Sequence, residues 1–245
     1  MSQRAWVEQV MGMPVSIHLR GDGVRDAAVE SAVAEAFADL RHVDEVFSTW
    51  KPDSQLSRVR RGELAVEQCD PMVAEVVGLC ALAEERTDGA FTSMLPAEDG
   101  ELRLDPTGLV KGWAVERAAA ILAAVPGHSF CVNAGGDVAV GGVDSSTPGP
   151  PVPWRVGLED PRDRSRIAEV VELLQGGVAT SGTAARGAHL YSPDTQEWVA
   201  REGSVSVVGP SLTWADVWAT ALFVGSAQLR ARFAATEPEM RAIVL

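Results

Sequence analysis

Asp216 and Thr220 stand four residues apart in the segment Thr213-Trp-Ala-Asp-Val-Trp-Ala-Thr220. That spacing brings both side chains to one face of a helix, where a carboxylate and a hydroxyl can converge on one hard cation. A structural reading is also open: Thr213 and Asp216 are spaced like the halves of a capping box, and Thr220 can bond back into its own helix. Asn133-Ala-Gly-Gly-Asp137 carries paired glycines that let backbone approach a ligand, or that simply form a hairpin turn. It does not match G-x-G-x-x-G, so a nicotinamide-binding Rossmann site has little support. Asp105-Pro-Thr-Gly-Leu-Val-Lys111 surrounds the turn into a helix, where free N–H groups and the positive dipole end favour a phosphate. Lys111 can neutralise one of its oxygens; alternatively Asp105 caps the helix and Lys111 is solvated. Thr180-Ser-Gly-Thr-Ala-Ala-Arg-Gly-Ala-His189 gathers hydroxyls, Arg186 and one of only four histidines. A lone histidine is more often structural than catalytic, but these neighbours suit a proton-transfer role.

The elements that must position these residues follow from hydrophobic period and from turn residues. Val15 to Leu19 alternates as a half-buried strand before the turn at Gly21 to Gly23. Val29, Val33, Phe37, Leu40 and Val43 place one apolar stripe on a helix from Asp26 to about Val46. Asp70-Pro71 starts a second helix that ends near Arg86, and a third is expected from Lys111 to Leu122. Strands are expected at Phe130 to Asn133, Val138 to Val140, Trp154 to Leu158, Val170 to Leu174 and Ser204 to Val208. A helix starting at Thr213, another near Ala227 to Ala235 and a closing strand in Met240 to Leu245 complete the chain. Helices and strands come in blocks without strict βαβ alternation. The expected fold is therefore α+β: one two-lobed unit over residues 1–245, with a mixed, largely antiparallel sheet and packed helices.

Composition limits the partners. With 34 acidic against 21 basic residues the net charge is −13, which argues against nucleic acid, because phosphate backbones are held by clustered Lys and Arg. A phosphate ligand must then be held locally, by a few cations, backbone N–H groups or a divalent metal. Cys69, Cys80 and Cys131 form neither a C-x-x-C pair nor an even framework, so neither a zinc site nor a disulfide scaffold is indicated. The amino terminus lacks a secretory pattern and no run is long enough to span a bilayer. A cytoplasmic location without a membrane anchor is expected.

The order of the short motifs is more specific than any one of them. Met11-Gly-Met-Pro-Val15, Phe47-Ser-Thr-Trp50 followed by Pro52-Asp-Ser54, Gly89-Ala-Phe91, Gly108-Leu-Val-Lys-Gly112, Asn133-Ala-Gly-Gly-Asp137, Val178-Ala-Thr-Ser-Gly182 and Ala215-Asp216 to Thr220 run along almost the whole chain. In that order they resemble the FAD:protein FMN transferases of the ApbE-like family. The resemblance implies a T-fold-like core and transfer of FMN from FAD to a Thr or Ser hydroxyl of a target flavoprotein, with release of AMP. It implies magnesium held by Asp216, Thr220 and the backbone carbonyls of Ala219 and Gly108. It implies FAD contacts from Met11, Trp50, Ala90, Phe91, Thr92, Asp105, Lys111, His189 and Leu190. His189 is the implied base for the incoming hydroxyl, and Asp216 is the carboxylate on which catalysis depends.

Several positions depart from the family pattern. Thr92 stands where the family has Asp, Trp50 where it often has Tyr and Met13 where Thr is common. The segment between Phe91 and Asp105 is shorter, and the lipoprotein cysteine of exported relatives is absent. Two other functions suit the same residues: a metal-dependent FAD pyrophosphatase that uses water as acceptor, and a non-catalytic FAD-binding module.

Overall fold

The computed structural model describes residues 2–97, 99–146, 148–183 and 190–245. The chain opens with a hairpin of β1 (Gln3–Val10) and β2 (Met13–Arg20), then α1 (Ala27–Phe47), the short α2 (Gln55–Arg60) and α3 (Pro71–Arg86). A small hairpin, β3 (Met94–Pro96) and β4 (Leu102–Leu104), leads into α4 (Thr107–Ala123). Then come β5 (Ser129–Ala134), β6 (Asp137–Gly142), β7 (Trp154–Asp160), β8 (Asp163–Leu173) and β9 (Gly176–Gly182). The last part holds β10 (Leu190–Ser192), β11 (Glu197–Val199), β12 (Ser204–Gly209), α5 (Leu212–Val224), α6 (Ala227–Thr236) and β13 (Arg241–Val244).

Seven strands form one sheet in the order β1-β2-β5-β6-β9-β12-β13. Every described pairing is antiparallel. The α+β architecture expected from the blocks of elements is what forms. Strand alternation decides which side chains meet the helices: Val15, Ile17 and Leu19 of β2 are fully buried with the stripe of α1 and with α4 and α5. The other face of the sheet carries a smaller apolar cluster, in which Val138, Val140 and Val178 pack against Trp154, Leu158 and Val171 of the β7–β8 hairpin. The sheet thus separates a helical layer from a hairpin layer.

Local chemistry sets the element ends that matter for the site. Asp70 caps α3 by accepting from Met72 N at 3.1 Å, with Pro71 in the first turn. α4 begins four residues before the expected Lys111, because Asp105 Oδ1 accepts from both Thr107 N (3.2 Å) and Thr107 Oγ1 (2.6 Å). Lys111 is therefore in the second turn of the helix rather than at its start. α5 is capped by Ser211, whose hydroxyl accepts from Trp214 N. The capping-box reading of Thr213 and Asp216 does not hold: Thr213 N and Oγ1 both donate to Glu116 of α4, at 2.9 and 2.5 Å, and Asp216 is left free to face inward.

Two glycines let the helices approach. A Cβ on Gly112 of α4 would lie 3.0 Å from Asp216 Cβ and 3.2 Å from Leu212 O, and one on Gly177 of β9 would lie 2.8 Å from Leu212 Cβ. Ordinary carbon contacts are near 3.5–4.0 Å, so a methyl group at 177 would force Leu212 to move, and one at 112 would press Asp216 and Leu212 back by a few tenths of an ångström. This is why α5 sits close enough to α4 and β9 for their side chains to share one centre.

Candidate active site

Lys111 of α4, Asp137 at the start of β6 and Asp216 of α5 meet at the floor of a cleft on the helical side of the sheet. Lys111 Nζ lies 2.5 Å from Asp137 Oδ2 and 3.7 Å from Asp216 Oδ1. Both carboxylates are buried, at 1% and 2% exposure. Asp137 Oδ1 accepts from the backbone N–H of Thr180 at 3.1 Å. Asp216 Oδ2 is buried without a well-directed hydrogen bond to any described residue. Beside it, Thr220 Oγ1 and Ser181 Oγ share a hydrogen bond of 2.9 Å.

Burial pushes the Asp216 carboxyl up to about 7, the Lys111 ammonium pulls it back, and the neighbouring Asp137 pushes it up again. A buried carboxylate oxygen without a well-directed hydrogen bond, beside the hydroxyls of Thr220 and Ser181, suits a small hard cation better than a soft one. Among the described residues no group of three or more His, Cys, Asp or Glu side chains gathers as a metal site would. A cation here would need hydroxyl, carbonyl or ligand oxygens to complete its shell, and Thr220 and Gly108 both line the cleft.

The sign of the Asp216 shift gives a testable outcome. A carboxyl with a raised pKa contributes stability that is present below its ordinary value of 3.8 and lost as pH rises through about 7. Chelator-treated wild type should therefore lose melting temperature relative to Asp216→Asn across that window. Added magnesium should restore it while releasing protons. Thermal melts of both proteins, with and without the metal, check this; parallel curves would exclude the raised pKa.

The cleft has a volume of about 570 Å³, within the range of cofactor-sized pockets. It is lined by Met11, Trp50, Ala90, Phe91, Thr92, Asp105, Lys111 and Leu190, eight of the nine residues expected to touch the nucleotide. His189, the ninth, lies outside the described residues. Gly108, Asp216 and Thr220 line it too, whereas Ala219 is fully buried behind them and does not.

Each wall has a local cause. Val10 and Met13 pair across a two-residue turn, Met11-Gly12, in which both residues have positive φ (52° and 71°). That is the geometry of a hairpin turn matched to strand twist, and it sets Met11 on the cleft wall at some backbone strain. Ser54 caps α2 by accepting from Ser57 N, and both serines donate to Ser48 O, folding the loop that carries the 93%-exposed Trp50. Buried Thr87 donates to Ala83 O and accepts from Phe91 N, which fixes the Ala90-Phe91-Thr92 turn. Asp105 is ion-paired with Arg60 at 2.9 Å.

Lys111 is expected from sequence either beside a phosphate or solvated at a helix start; its ammonium in fact lies between two buried carboxylates, which speaks against the solvated alternative. Asp137 and Ser181 carry no signal of their own in the sequence. Both stand inside quoted motifs, yet their partners are 26 and 39 residues away, beyond the reach of any local pattern.

Comparison with known proteins agrees with this geometry. The ApbE family model matches residues 11–98 and 92–244, nearly the whole chain. The chain belongs to the ApbE family. ApbE relatives include the FAD:protein FMN transferase of Vibrio cholerae, 31% identical over 134 residues, which cover 51% of this chain and 39% of that protein. The corresponding Klebsiella pneumoniae transferase is 24% identical, over 82% of this chain and 73% of its own length. Among solved ApbE structures, the Thermotoga maritima protein superposes with a TM-score of 0.80 at 21% identity, covering 99% of this chain and 94% of that one. The flavin transferase ApbE of Vibrio cholerae gives 0.79 at 22% identity, covering 99% and 93%. At such identities the structural likeness establishes the ApbE fold.

Proposed function

We propose that this chain transfers FMN from FAD to a Thr or Ser hydroxyl of a target flavoprotein and releases AMP, with magnesium as its metal. The observation that carries the reading is the Lys111–Asp137–Asp216 cluster opening into a nucleotide-sized cleft beside Thr220 and Ser181. The family's named activity supports it.

In this reaction the acceptor oxygen forms a bond to the FMN phosphorus, and the bond from that phosphorus to the bridging oxygen breaks. AMP leaves with the bridging oxygen, and the hydroxyl proton passes to a base. Asp216 and Thr220, with the carbonyl of Gly108, would hold magnesium, which when bound neutralises charge on the phosphate oxygens; the fully buried Ala219, which does not line the cleft, is left out of this set. Lys111 supplies a fixed positive charge at the same end of the cleft, and Asp137 orients it. Met11 and Trp50 offer apolar surface for the rings of the dinucleotide, and Phe91 and Leu190 line the same cleft. His189 is the proposed base, on its sequence setting alone. A cytoplasmic setting belongs to this reading. It is supported by three cysteines that remain unpaired. Separately, no described helix is long and apolar enough to cross a membrane.

Mass spectrometry of candidate flavoproteins incubated with the chain, FAD and magnesium tests the reading. A target should gain the mass of FMN only when FAD and magnesium are both present. Free FMN and AMP without any adduct would instead make the chain a pyrophosphatase, and bound, unchanged FAD would make it a binding module.

A further inference from the structure

A second cleft, of about 610 Å³, lies on the opposite face of the sheet, between it and the β7–β8 hairpin. Ser16 and Asn133 on the sheet and Arg155 and Gly157 on the hairpin are among its walls. Ser204 of β12 lines it as well; that residue is 7% exposed, and its hydroxyl has no hydrogen-bond partner among the described residues. The two clefts meet, because Gly135, Thr180 and Gly182 line both. A fork in the sheet is the cause. β6 pairs with β9 only up to Val138 and Val178, while β9 continues beside β12 to Gly182. Past the fork it is the Asp137 carboxylate, not a strand, that holds the Thr180 N–H. On the side of the second cleft a Cβ at Gly136 would meet nothing within 4 Å.

We infer that the second cleft receives the acceptor segment of the target protein as an extended chain, and that its Thr or Ser hydroxyl reaches the FMN phosphorus through the fork. The inference rests on the transferase reading above. Phosphoryl transfer needs nucleophile and leaving group roughly in line, so the acceptor enters from a side that the nucleotide does not fill. The first cleft holds the nucleotide, and the second opens onto the same centre from the other face of the sheet.

The chemistry of the second cleft fits polypeptide rather than another phosphate. Its Arg155 and Arg164 are already paired with Glu172 and Glu159, at 3.4 and 2.9 Å. Among the described residues β7 and β8 pair only with each other, so each presents an edge on which an added strand can find backbone partners. The unmatched Ser204 hydroxyl supplies one further hydrogen-bonding group.

The test uses the full chain with FAD, magnesium and a library of short synthetic peptides, each with one central Thr or Ser and randomised flanks. The best acceptor peptide is then measured against Ser16→Trp, which fills the second cleft at a residue that does not line the first. Its KM for the peptide should rise about tenfold or more, with FAD affinity unchanged. As a second measurement, a photo-crosslinking residue in place of Arg155 should capture the peptide upon illumination, and excess unlabelled peptide should suppress the capture. An unchanged KM in a folded Ser16→Trp, or no capture at position 155, overturns the docking site while leaving the transferase reading intact. Wild type that modifies neither peptides nor flavoproteins overturns that reading, and the docking site with it.

Discussion

Asp216→Asn is expected to lower magnesium-dependent FMN transfer by about a thousandfold or more, with the fold retained. Its carboxylate is buried, has one oxygen without a well-directed hydrogen bond, and stands beside Lys111 and the Thr220–Ser181 hydroxyl pair. When the Asp216 charge is removed, Lys111 keeps its closer partner, Asp137, at 2.5 Å. Removing that charge should even raise the melting temperature of the metal-free protein, because a desolvated carboxylate is replaced by a neutral group of the same shape. Activity and stability are thus expected to move in opposite directions, which a merely structural Asp216 would not produce. Steady-state transfer assays beside thermal melts decide the matter, and transfer at wild-type rates in the variant would remove Asp216 from the metal site.

The second large effect is expected at Lys111. Lys111→Met leaves Asp137 and Asp216 facing each other in the protein interior without their shared cation. Breaking a buried ion pair in this way costs about 3–5 kcal/mol, and activity should fall with it. Adding Asp137→Asn to Lys111→Met should return most of the stability but none of the activity, since one unpaired charge has been removed while the cation is still missing. Denaturant unfolding of the two single variants and the double variant, treated as a cycle, measures this coupling. Equal midpoints for wild type and Lys111→Met would show that the cluster does not behave as a buried network.

What the sequence made legible follows the range of the interactions involved. α1 and α3 announced themselves through apolar period and capping, because those signals lie within one or two helical turns. Asp216 and Thr220 were legible for the same reason: four residues on a helix is a local relation. β9 was not recognised as a strand. Its sequence, Gly176-Gly-Val-Ala-Thr-Ser-Gly182, resembles a loop; the approach of α5 requires the glycine at 177, and the nearby backbone of Gly209 and Gly203 requires those at 176 and 182. β1 is an edge strand with a half-exposed pattern, and β3, β4, β10 and β11 are three-residue strands, too short for a period to emerge. The bridging role of Lys111 was hidden because it depends on Asp137, which reaches it only through the pairing of distant strands. The capping alternative at Thr213 fails because Glu116, nearly a hundred residues earlier, takes the hydrogen bonds of both its N–H and its hydroxyl.

Gly112 carries a consequence for anyone stabilising this protein. Glycine inside a helix costs about 1 kcal/mol relative to alanine, and replacing it is a routine stabilising substitution. At position 112 the new methyl would press on Asp216 and on the backbone of α5, with contacts of 3.0 to 3.2 Å. A consensus or propensity-guided redesign would thus be drawn to the one helical residue whose missing side chain sets the spacing of the charged centre. The helix is weaker than it could be at the point where the two helices must lie closest.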